Sequence, residues 1–106
     1  MKDIIRTLTE AFGPSGYEGP VRDLIAGMIQ SRVDEISTDV MGNLIAVKRG
    51  SSPEGKKIMF SAHADEIGIV VTHIDDNGFL RFTNVGGLSV ETLIGNRVRF
   101  ESGLIG

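Results

Sequence analysis

Lys57-Ile-Met-Phe-Ser-Ala-His-Ala-Asp-Glu-Ile-Gly-Ile-Val-Val71 is the stretch on which the fold is decided. Ile58 to Ala62 and Gly68 to Val71 are short apolar runs, and both read as buried strands. Between them stand an imidazole and two carboxylates, His63, Asp65 and Glu66. Polar groups inside an apolar passage need partners, because burying them unpaired costs about 2–7 kcal/mol. Residues i and i+2 of an extended chain share a side, so His63 and Asp65 project together where the first strand ends. A neutral imidazole is a good zinc or cobalt ligand, and a neighbouring carboxylate either binds the same metal or orients the ring. A lone histidine among apolar residues is more often a hydrogen-bonded core residue, so the spacing leaves both readings open. His73 falls on a predicted hairpin strand just before an acidic turn and reads as a surface or structural residue.

A catalytic zinc takes at least three protein ligands. Glu18, Asp39 and Glu91 are available carboxylates, but nothing in their spacing selects them. No serine lies in a G-x-S-x-G context, and there is no phosphate-binding loop.

The composition bounds the rest. The chain has 106 residues, a length for which one domain is the default. Glycine, at 14 residues, is about twice as frequent as the usual ~7%, so many tight turns are expected. The net charge is −3, from 11 basic and 14 acidic residues that are well mixed. No basic patch points to nucleic acid and no charge run points to a disordered tail. There is no cysteine, which excludes a disulfide framework and a cysteine-based zinc site and favours a cytoplasmic setting. Lys2, Asp3, Arg6 and Glu10 are unlike a signal peptide, and no apolar run reaches the 18 or so residues of a membrane span.

Taken in order, Ile4, Ile5, Leu8, Ala11 and Phe12 have helical spacing within residues 2–12. Gly13-Pro-Ser-Gly16 ends that helix, as a plain turn or as the edge of a pocket near the metal. Ser15 and Glu18 fit the capping box of a second helix, whose buried stripe is Val21, Leu24, Ile25, Met28 and Ile29. From Val33 the period becomes two. Residues 35–39 and 44–47 read as a hairpin turning at Met41-Gly42-Asn43. After the central stretch, a strand through Ile74 turns at Asp75-Asp-Asn-Gly78 and returns as residues 79–83. Phe79, Arg81 and Thr83 take one face, Leu80 and Phe82 the other. Residues 90–94 are apolar and of open type, and residues 96–101 alternate as a strand. The run from Leu104 stops before it can pair, leaving an open edge that reads as a chain cut from something longer.

Three motifs carry a resemblance. Phe12-Gly-Pro-Ser-Gly-Tyr-Glu18, Thr38-Asp-Val-Met-Gly-Asn-Leu-Ile45 and Ser61-Ala-His-Ala-Asp-Glu-Ile-Gly68 occur in this order. Together with Val85-Gly86-Gly87 and residues 97–101, they resemble the N-terminal part of the glutamyl aminopeptidase, or tetrahedral aminopeptidase, family of two-metal exopeptidases. Some members of that family carry endoglucanase or deblocking aminopeptidase labels. The resemblance implies an α/β fold, with residues 1–68 as the N-terminal part of a catalytic domain. Residues 69–106 would then begin an inserted β-rich oligomerisation domain. It implies His63 as a metal ligand and Asp65 as the carboxylate that orients it, with two divalent ions, Zn²⁺ or Co²⁺, in the complete enzyme. The implied partners are peptide substrates, the remainder of the enzyme and further copies in a homo-oligomer such as a dodecamer, with no nucleic acid and no membrane. Ala64 stands where methionine is commoner. The family's bridging aspartate, paired glutamates, further aspartate and final histidine would fall beyond residue 106, so the chain alone is expected to be inactive. The alternative reading is a non-catalytic binding or assembly module that keeps the family fold.

Overall fold

Two helices open the computed structural model, which describes residues 1–52 and 54–106. Helix α1 spans Lys2–Glu10. The hydroxyls of Thr7 and Thr9 donate back to the carbonyls of Asp3 and Ile5, at 2.8 and 2.9 Å. The predicted apolar stripe is present, yet α1 buries no residue: Leu8 is half-buried and Ile4 and Ile5 are exposed.

Helix α2 spans Gly19–Ile29 and continues into a 3-10 turn, Gln30–Arg32. The predicted capping box does not form. Glu18 is the N-cap, without a side-chain cap bond, and Pro20 occupies the first turn. A proline there has its φ already set for a helix and lacks only an amide that would be unsatisfied anyway. The Ser15 amide goes elsewhere, donating to the Glu66 carbonyl at 3.3 Å. Of the predicted stripe, Val21 is fully buried and Leu24, Ile25, Met28 and Ile29 are half-buried.

Strands β1 (Glu35–Thr38) and β2 (Leu44–Val47) form an antiparallel hairpin, with Glu35 opposite Val47 and Thr38 opposite Leu44. Strands β3 (Gly68–Ile74) and β4 (Leu80–Val85) form another. The same five-residue turn closes both. In Asp39-Val-Met-Gly-Asn43, the Asp39 Oδ1 accepts the amides of Met41 and Asn43, each at 2.9 Å, and the Gly42 amide donates to the Asp39 carbonyl at 3.0 Å. In Asp75-Asp-Asn-Gly-Phe79, the Asp75 Oδ1 accepts the amides of Asn77 and Phe79, each at 3.0 Å, and the Gly78 amide donates to the Asp75 carbonyl at 2.9 Å. Gly42 and Gly78 have φ of 88° and 84°, a region that side chains with a Cβ rarely adopt.

Asp39 has one partner more than Asp75, the Asn43 side-chain amide at 2.9 Å from Oδ2. That bond, with the backbone amides of the turn, holds the Asp39 carboxyl below its usual range. A carboxyl lowered on folding stabilises the fold above its unfolded pKa, and this is lost as pH falls through the folded one. Hydrogen exchange at the Met41 and Asn43 amides should therefore accelerate only in acid, below the ordinary carboxylate range. Protection unchanged down to full protonation of Asp39 would contradict that role.

The chain divides into two compact units, residues 1–13 with 17–65 and residues 14–16 with 66–106. In the second, Pro14 and Glu66 make an isolated parallel bridge. Between Val71 and His73 the β3–β4 register shifts, and the unpaired Thr72 donates its hydroxyl to the Arg81 carbonyl at 3.2 Å. Ile69, Val71, Leu80 and Phe82 share one face, as the alternation predicts, and with Leu93 and Phe100 they line a cavity of about 210 Å³. Val90–Thr92 is a 3-10 turn.

Three further sequence-based expectations are corrected. Residues 96–101 do not form a strand, only a bridge of Arg99 with Ile105. The run from Leu104 does pair: Phe100 takes the Leu104 carbonyl, and Val98 and Gly106 exchange both their bonds, all at 2.9 Å. Ile58 to Ala62 is neither strand nor buried, with Ile58 77%, Met59 88% and Phe60 93% exposed. A strand needs a partner for its ladder, and none of the described strands pairs with this run. No helix among the described residues is long and apolar enough to cross a membrane.

Candidate metal centre

The packing behind His63 begins at residue 13. Gly13 and Val21 are both buried, and a Cβ built on Gly13 would lie 2.6 Å from Val21 Cγ1. The same point is 3.8 Å from the carbonyl oxygen of Ala64, the residue between His63 and Asp65. The close approach of α2 and the turn after α1 thus lies against the backbone of the His-Ala-Asp segment.

In that segment the two side chains meet as their i, i+2 spacing predicts. His63 Nδ1 lies 3.1 Å from Asp65 Oδ1 and 3.0 Å from the Asp65 carbonyl oxygen. Both partners are acceptors, so Nδ1 carries the proton and donates. In the neutral ring the lone pair is then on Nε2. The His63 side chain is 87% exposed and that of Asp65 38%. The burial expected from the flanking apolar runs is therefore absent, because the run before His63 is itself uncovered. The imidazole stands in solvent with its outer nitrogen available and its inner nitrogen held by the carboxylate.

The other carboxylates considered from the sequence are placed elsewhere. Asp39 is spent in its turn, Glu18 sits at the start of α2, and Glu91 accepts the Ser89 hydroxyl, which lowers its pKa. His73 is exposed on β3 opposite Arg81. Among the described residues, no group of three or more His, Asp or Glu side chains is placed to hold a metal. His63 fits a metal in donor chemistry, as one ligand. Gly13 was read from the sequence as part of a helix-stopping turn, plain or edging a pocket near the metal, within the first of the three motifs. Its place beside Val21 and Ala64 is a tertiary fact, for which the available signal was a glycine within that motif.

The family model described as M42 glutamyl aminopeptidase matches residues 42–104. A putative aminopeptidase of Acetivibrio thermocellus is 52% identical over 106 residues, which are 100% of this chain and 31% of that protein. An aminopeptidase structure from the archaeon Desulfurococcus kamchatkensis superposes with a TM-score of 0.86 at 44% identity, covering 97% of this chain and 29% of that one. A Thermotoga maritima structure named an endoglucanase superposes with a TM-score of 0.81 at 46% identity, covering 86% and 29%. The chain thus spans about a third or less of the length of the relatives it matches.

Proposed function

The chain belongs to the M42 glutamyl aminopeptidase family, and on that premise we propose that His63 is a metal ligand of a protein that hydrolyses N-terminal residues from peptides. The observation that carries the proposal is the orientation of the ring, with Nδ1 donating to Asp65 and Nε2 left outward. Metal-ligating histidines characteristically donate their other ring nitrogen to a carboxylate or a carbonyl, which fixes the tautomer and raises the basicity of the ligating nitrogen. Asp65 offers both acceptors.

Two divalent ions, Zn²⁺ or Co²⁺, are proposed for the full-length protein, with the remaining ligands outside these 106 residues. Bound metal would supply Lewis acidity toward the scissile carbonyl and an activated water. The residues in hand do the preparatory work. Asp65 holds the imidazole in one tautomer and one plane, and His63 presents a single nitrogen. Residues 1–68 are proposed as the start of the catalytic domain and residues 69–106 as the start of an inserted β-rich domain used in subunit contacts. The division into two compact units near Glu66 supports that reading.

Asp65→Asn in a full-length protein carrying this chain tests the role of the carboxylate. The amide keeps the size of the side chain and one acceptor but loses the charge. The fold should survive, while metal affinity or peptidase activity should fall by about 10–100-fold, the usual cost of changing a ligand's outer partner. Unchanged metal affinity together with unchanged kcat/KM would remove Asp65 from the site.

A further inference from the structure

Gly13 lies outside the motif that carries His63, yet it is buried, and a Cβ built on it would lie 3.8 Å from that motif's backbone. We infer that Gly13 is a positioning residue for the His63–Asp65 pair, acting through the Ala64 carbonyl. The inference rests on the reading of His63 as a metal ligand. A side chain at residue 13 would place its Cβ 2.6 Å from Val21 Cγ1 and 3.1 Å from Val21 Cβ. Ordinary contact between carbons is about 3.5–4.0 Å, so relief requires a displacement of about 1 Å. Val21 sits in the first turns of α2, where the helical backbone resists local movement. The Ala64 carbonyl, 3.8 Å from the same point and so already at van der Waals distance, is the other group against it. Part of the displacement therefore passes to the peptide that joins His63 to Asp65. The Asp65 carbonyl and carboxylate both hold Nδ1, so a shift of that peptide changes the direction in which Nε2 points. A catalytic constellation tolerates only about 0.5 Å of such error.

The strain comes from Val21, so removing the Val21 methyl groups should relieve it. This separates positioning from simple stability. The test uses full-length protein loaded with Co²⁺, reading the visible absorption spectrum of the bound ion, the Co²⁺ dissociation constant and thermal stability. Gly13→Ala should alter the spectrum, weaken Co²⁺ binding by about tenfold, on the scale of other lost orienting contacts, and lower kcat more than it raises KM. Val21→Ala should lower the melting temperature but leave the spectrum and the dissociation constant as in the parent. The double variant should recover the parent spectrum and affinity while remaining less stable. If Gly13→Ala loses stability with its spectrum and affinity unchanged, or if the double variant fails to recover them, Gly13 has no positioning role. If His63→Ala leaves Co²⁺ binding intact, it is the ligand assignment that fails, and the inference falls with it.

Discussion

His63→Ala in the full-length protein should abolish most peptidase activity and lower metal content. The effect should exceed the roughly 10–100-fold cost of losing an outer partner, because here the coordinating nitrogen itself is removed. The structure also argues that the change will leave the fold intact. The His63 side chain is 87% exposed, and its recorded bonds are to the neighbouring Asp65. Little packing is lost, so surface-type changes of stability, within about ±0.5 kcal/mol, are expected. Lost activity with a preserved melting temperature is therefore the signature. Metal analysis showing full occupancy in His63→Ala would end its assignment as a ligand.

Residues 1–106 expressed alone should run larger than a monomer or aggregate, and co-expression with the downstream segment of a full-length relative should give a soluble, active complex. The chain exposes 9123 Å² for a mass of 11.4 kDa. A folded monomer of that mass exposes about 5,800 Å² by the usual scaling. Val21, at 4% exposure, is the buried hydrophobic side chain among the described residues, while Phe60, Met59 and Ile58 are nearly bare. Exposed apolar segments of this kind mark an interaction surface or a site of aggregation. Ile58–Ala62 adds unpaired backbone groups to the apolar surface, the combination that recruits a further strand. A monodisperse, stable monomer in sedimentation would refute the claim of association. Peptide hydrolysis by the isolated chain would refute the claim that its metal site is incomplete.

The local features were legible in the sequence and the non-local ones were not. Gly42, and Asp75 with Gly78, announce their turns because an aspartate acceptor and a glycine at positive φ are both local requirements, whereas Asp39, read as the end of a strand, is the first turn's acceptor. The meeting of His63 with Asp65 followed from the two-residue period alone. The run Ile58–Ala62 was misread because an apolar period reports a preference for burial, whereas a strand also needs a neighbour to supply its hydrogen bonds. Ser15 lost its capping role to a competing local signal, Pro20, and its amide to a distant acceptor, the Glu66 carbonyl. Val98 and Phe100 found the Leu104–Gly106 segment because the Ser102-Gly103 turn is tight enough to bring it straight back. The place of Gly13 against Val21 and Ala64 depends on residues far apart in the chain, which no local pattern encodes.

The most direct measurement is the position of the metal in crystals of the full-length protein loaded with Zn²⁺ or Co²⁺, located by anomalous scattering. The expected result is an anomalous peak about 2.0–2.1 Å from His63 Nε2, the usual length for zinc bound to imidazole. Nδ1 should still lie within hydrogen-bonding reach of Asp65. A metal bound to Nδ1, or a fully occupied catalytic metal pair that leaves His63 uncoordinated, would contradict the account.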